Sequence, residues 1–148
     1  MINDYTPINY STWNFDGQGK NILHLLNPLE KQIWEKALPL QDKRKDAGHA
    51  EIATLFSLVL TELTNANRQV SVLGTILHDI GYNISPEEFR EVFLSKPDKE
   101  KQVRIRLEHQ VRGGVLAYDI LKDVGVSQES IAEILRIDNQ WVTKAKAV

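Results

Sequence analysis

The sequence predicts an all-α domain, a helical bundle of about five to seven helices. Three observations carry this. Several segments of ten or more residues repeat apolar side chains at helical spacing, so that each offers one face to a core. Those segments open on capping residues, often with proline just inside the helix, as in "NPLEK" and "SPEEF". The chain of 148 residues is sized for one domain with a single core, and no internal repeat or compositional break divides residues 1–148.

Residues 1–26 mix Asn, Asp, Gly, Thr and aromatics without helical or strand period, and read as an extended lead-in anchored on the domain by Tyr and Trp. At Asn27 a capping residue precedes Pro28, and Leu29, Ile33, Trp34, Ala37 and Leu38 fall on one face of a short helix that stops near Pro39. The next helix takes Asp46 as its N-cap and shows an apolar stripe at Ile52, Ala53, Phe56, Val59, Leu60 and Leu63, which His49 extends by one turn. "RQVSVLGTILHDIG" is apolar around most of its circumference, as a central helix is, with His78 and Asp79 in its last turn and Gly81 placed to end it. "SPEEFREVFLS" places two acids at a helix start, where the dipole favours them. A long helix then runs to about Lys122 with Ile105, His109, Gly113, Leu116 and Ile120 along one face, and "SQESIAEILRI" supplies a last helix facing inward through Ile131, Ile134 and Leu135.

Composition narrows the function classes. Hydrophobic content of 42%, charged content of 26% and a formal net charge of -2 are ordinary for a soluble protein and argue against a general nucleic-acid binder. No stretch approaches the roughly 20 apolar residues of a membrane span, and the N-terminus lacks the basic and apolar pattern of a secretion signal, so the expectation is a cytoplasmic protein without a membrane partner. The two glycosylation-like triplets "NYS" and "NIS" are then read as chance. With no cysteine, any metal must be held by His, Asp, Glu, carbonyls or water.

Chemistry therefore centres on the histidines. His49, His78 and His109 come from three separate helices and all fall on faces predicted to point inward, and His78 is followed by Asp79. Imidazole nitrogens with a carboxylate form a mixed donor set suited to a divalent transition metal (Mn, Fe, Co, Ni or Zn), whereas Mg favours an oxygen-only site. A carboxylate at the end of an apolar helix needs a cation or a donor, since isolated buried charge is costly. A metal supplies it, and so does an Arg or Lys nearby, or a bond from Asp79 back to the His49 ring. His24, alone in "NILHLLN", is read as a core or surface residue with no chemical role.

Three stretches carry a family resemblance. "KDAGHAEIATLFSLVL" looks like the first-histidine helix of the HD-domain metal-dependent phosphohydrolases, "LGTILHDIGY" is similar to their His-Asp helix, and "EHQVRGGVLAYDIL" resembles their downstream His-x-x-x-Gly helix. Together they span roughly residues 40 to 135. The resemblance implies His49, His78 and Asp79 as metal ligands, with Asp79 also catalytic, and His109 as a ligand to a second metal or a phosphate contact. It implies hydrolysis of a phosphate ester or nucleotide by metal-activated water. Arg44 and Lys45, just before the first histidine, are the expected substrate-phosphate contacts, with a solvated basic turn as the equal alternative. Arg112 is read as facing the same cleft or, more in keeping with its position, as a surface salt bridge. Glu51 and Glu108 are candidates to orient an imidazole, although helix position points them outward.

The chain departs from the family pattern at its end. A further Asp usually completes the site, and here "RIDNQW" offers only Asp138 as a substitute. A mononuclear centre with open positions is the form that fits this ligand count. Two other readings share the same residues: a non-catalytic HD-like regulatory or ligand-binding module, and a helical interaction domain whose His-Asp network only supports the core. A homo-oligomer is compatible with all three.

Overall fold

In a computed structural model the described residues are 19–41, 48–82, 87, 88, 90 and 98–138. Among them every regular element is helical. Five α-helices are α1 (Pro28–Ala37), α2 (His49–Leu63), α3 (Arg68–Leu77), α4 (Lys99–Asp123) and α5 (Gln128–Asp138), with short 3₁₀ turns at Leu23–Leu25, Leu38–Leu40 and Ile80–Tyr82. No helix of the described residues is long and apolar enough to cross a membrane.

The helix starts follow from local chemistry. Asn27 caps α1 through a reciprocal box: its side chain accepts the Glu30 N–H at 2.9 Å while Glu30 Oε2 accepts the Asn27 N–H at 2.8 Å. Asn67 caps α3 by accepting from Val70, and Asp98 caps α4 by accepting from Glu100 and Lys101. Ser127 Oγ accepts the Ser130 N–H at the start of α5. Each cap meets backbone N–H groups that the helix itself leaves unpaired. Asp46, Arg44 and Lys45 lie outside the described residues, as do the N-terminal aromatics and most of "SPEEFREVFLS", of which Glu87, Glu88 and Arg90 are helical.

α3 is the central element. It packs on α1, α2 and α5, and its Val70, Val72, Leu73, Ile76 and Leu77 are buried with Ile33 and Trp34 of α1, Leu55 and Leu58 of α2, Leu121 of α4 and Ile131 and Ile134 of α5. α2 and α3 form an antiparallel helical hairpin through a short connection, so the start of α2 and the end of α3 lie at the same end of the pair. Glu30, almost wholly buried, accepts two bonds from Arg68, whose guanidinium also reaches the Leu25 carbonyl at 3.0 Å. That link joins the starts of α1 and α3.

Four features differ from the sequence expectation. The inward face of α2 is built from Ala50, Glu51, Thr54, Leu55, Ser57 and Leu58, while Phe56, Leu60 and Leu63 are exposed. Both arcs of this helix carry apolar residues, and the buried one combines Leu55 and Leu58 with the smaller Ala50, Thr54 and Ser57. Glu51, expected outward, is fully buried and accepts the Gly19 N–H. α3 ends at Leu77, with His78 as its C-cap, so Asp79 stands just beyond the helix. Gly81 does not end the helix through a left-handed backbone, since positive φ occurs only at Gly19 and Gly125 among the described glycines. Its role is close approach: a Cβ there would lie 2.2 Å from the His109 carbonyl oxygen and 2.7 Å from the Gly113 nitrogen.

Candidate metal centre

His49 is the first residue of α2 and His78 caps the end of α3, so the hairpin brings their rings together, with centroids 5.2 Å apart. The two Nε2 atoms are 3.2 Å apart, and Asp79 Oδ2 lies 3.0 Å from each of them. These three atoms form a nearly equilateral triangle. Donors bound to one ion at roughly 2.1 Å and at right angles stand about 3.0 Å from one another. Side-chain exposures of 50% for His49, 33% for His78 and 29% for Asp79 put the triangle at the surface, with room for further ligands from solvent.

The tautomer of His78 sets what its Nε2 brings to this triangle. The His78 Nδ1 lies 2.6 Å from the Thr75 carbonyl oxygen, which demands a proton on that nitrogen. A neutral His78 then presents a bare Nε2 lone pair to both Asp79 Oδ2 and His49. If His78 is instead doubly protonated and both Nε2–H groups point at Asp79, the 3.2 Å contact sets two N–H groups against each other. A cation at the triangle satisfies all three donors at once. The Nδ1–H bond to a carbonyl is also the usual way a ligand histidine is held with its other nitrogen aimed at a metal.

Among the described residues His49, His78 and Asp79 are the group of His, Cys, Asp or Glu side chains close enough together that it could hold an ion. His109 does not join them. It is buried on α4, and its Nδ1 lies 2.8 Å from the Gly81 carbonyl oxygen. That distance likewise requires Nδ1–H, with Gly81 accepting. Burial pushes the His109 imidazole below the ordinary histidine range; the Gly81 hydrogen bond opposes this, and the Arg112 charge adds to the depression. Arg112 Nη2 donates to the same Gly81 carbonyl at 2.8 Å.

The remaining candidates are placed as follows. Glu108 is exposed and lies 3.9 Å from Arg104 on α4, so it orients no imidazole of the triangle. His24 is exposed in the Leu23–Leu25 turn. Arg44 and Lys45 lie outside the described residues, and so does the side chain of Asp138, the last residue of α5. Sequence reasoning did not find the Thr75 and Gly81 carbonyls, because a backbone acceptor leaves no mark on residue type. The three-residue spacings Thr75 to His78 and His109 to Arg112, each one helical turn, were the available signals.

Comparison of the chain with protein-family models returns no match, comparison with curated proteins returns none, and comparison with solved structures returns none.

Proposed function

We propose that this chain is a metal-dependent phosphohydrolase of the HD type, with a mononuclear divalent transition-metal centre at His49, His78 and Asp79. The observation that carries the reading is the triangle of donors 3.0, 3.0 and 3.2 Å apart. Bound there, a divalent cation supplies Lewis-acid polarisation of a phosphoryl oxygen and activation of water near neutral pH. The chain's own residues set the conditions for this. His78, held by the Thr75 carbonyl, offers Nε2 in a fixed direction; His49 offers Nε2 from the first turn of α2; Asp79 supplies the negative charge that favours a dication and an oxygen that can take a proton. Because all three side chains are partly exposed, a phosphate group reaches the centre without an opening motion. A phosphomonoester, phosphodiester or nucleotide is the proposed substrate class.

Elemental analysis of protein purified without added metal, followed by titration with Mn, Co, Ni and Zn, tests the centre. About one ion per chain is expected, lost in His78→Ala and in Asp79→Ala. Metal-loaded protein is then assayed on a panel of nucleotides and phosphoesters, where metal-dependent turnover is expected. A folded protein that binds no ion would leave a polar His-Asp network, and metal binding without turnover on any substrate would point to a regulatory module.

A further inference from the structure

The turn that carries Asp79 away from α3 is gripped from the opposite helix. Gly81 is buried, and its carbonyl oxygen is 2.8 Å from both His109 Nδ1 and Arg112 Nη2, two side chains one turn apart on α4. Both nitrogens are donors in this arrangement, so the 3.2 Å separation between them is a consequence of sharing one acceptor. The turn reaches them because its backbone lies directly against α4: a Cβ on Gly81 would meet the Gly113 nitrogen at 2.7 Å, and a Cβ on Gly113 would meet the Gly81 nitrogen at 3.3 Å. Ile80–Tyr82 packs more closely on α4 than on any other element.

We propose that Arg112 is a positioning residue for Asp79: with His109 it fixes the Gly81 carbonyl, and thereby the direction in which the turn presents the Asp79 carboxylate to His49 and His78. This rests on the metal-centre reading above. Two peptide units separate the Asp79 Cα from the clamped carbonyl, so a rotation at Gly81 is passed to the carboxylate with little chain to absorb it. Metal donors tolerate displacements of only about 0.5 Å. His109 alone pins the oxygen along one direction, whereas two donors from α4 also fix the tilt of the peptide plane. Arg112 suits this task because its guanidinium is planar and always charged, and because its long side chain leaves the helix surface to reach a buried acceptor.

The test uses the full chain and Co(II) alone as probe, with binding measured by chelator competition and coordination read from the Co(II) absorption bands. Arg112→Met is expected to weaken Co(II) binding by about tenfold or more, the usual range for losing a group that orients a ligand. It should also change the position and intensity of the Co(II) bands, while circular dichroism shows the same helix content. Arg112→Lys, which returns one donor, should recover part of the affinity and move the bands back toward the wild type. Arg104→Ala, an exposed arginine on the same helix, should match the wild type in both readouts. A wild-type protein that binds Co(II), beside an Arg112→Met variant with unchanged affinity and unchanged bands, overturns the inference alone. A folded wild-type protein that binds no Co(II) overturns the metal centre and the inference with it.

Discussion

The His109 imidazole is buried against a carbonyl and beside a guanidinium, and this fixes the sign of its pH dependence. Its folded value lies below the ordinary 6.5, chiefly through burial, so between the two values the unfolded chain binds the proton that the folded chain refuses. The stability it contributes is therefore fully present above about pH 6.5, and is lost progressively as pH falls from there toward the folded value. His109→Asn keeps an N–H donor near the Nδ1 position and does not titrate. Urea denaturation of both proteins at a series of pH values should show curves that run parallel above that range, with the wild type falling away faster below it. Curves that stay parallel down to about pH 5 would contradict the assignment.

At the scale of elements, glycine marks the contact that places the turn after α3. Gly81→Ala drives a Cβ into two backbone groups of α4 that cannot rotate aside, and should cost about 2 kcal/mol or more. Gly125→Ala, at φ +82 with nothing within 4 Å, should cost about 1 kcal/mol through backbone strain alone. Gly113→Ala should be close to neutral, because the gain of about 1 kcal/mol in helix propensity offsets a contact that is merely tight. Urea midpoints for the three variants check this order. The link between α1 and α3 gives a second prediction: Arg68→Met leaves the Glu30 carboxylate buried without its cation and should cost about 3 kcal/mol, the low end for a broken buried pair because Arg68 is partly exposed. The double variant with Glu30→Gln should lose much less than the two single losses together, and strict additivity would rule out the coupling. Where sequence reasoning failed at this scale, the cause was a helix with two apolar arcs. Periodicity located α2, but chose the arc of Phe56, Leu60 and Leu63, since side-chain size dominates a hydrophobic stripe. The buried arc instead mixes Leu55 and Leu58 with small or polar residues such as Ala50 and Ser57, which add little to such a stripe. The start of α1 at Asn27, by contrast, was readable, because a cap is a local bond between neighbours in sequence.

For the molecule as a whole, the three helices expected to carry histidines were legible, and so was the bundle, but not how the histidines divide. His49 and His78 were expected on inward faces and are exposed at the open end of the α2–α3 hairpin; only His109 is buried, and it serves a carbonyl. Apolar periodicity reports which side of a helix faces a neighbour, yet at a helix end the same angular position opens to solvent. That arrangement gives the proposed centre a measurable reach. An ion at His49, His78 and Asp79 ties the first residue of α2 to the end of α3, and α3 packs on α1, α2 and α5, so binding must stabilise the whole bundle against unfolding. At a metal concentration of about 100 times Kd the gain is about 2.7 kcal/mol, since the unfolded chain scatters its donors. For a domain of this length each kcal/mol raises the melting temperature by about 2–4 °C, which gives a rise of about 5–10 °C. Calorimetry with Mn, Co or Zn should show that rise and its reversal by a chelator. His49→Ala should melt near the metal-free wild type, because the ring is half exposed, and should show no rise when metal is added. An equal rise in wild type and His49→Ala would place the ion elsewhere in the molecule.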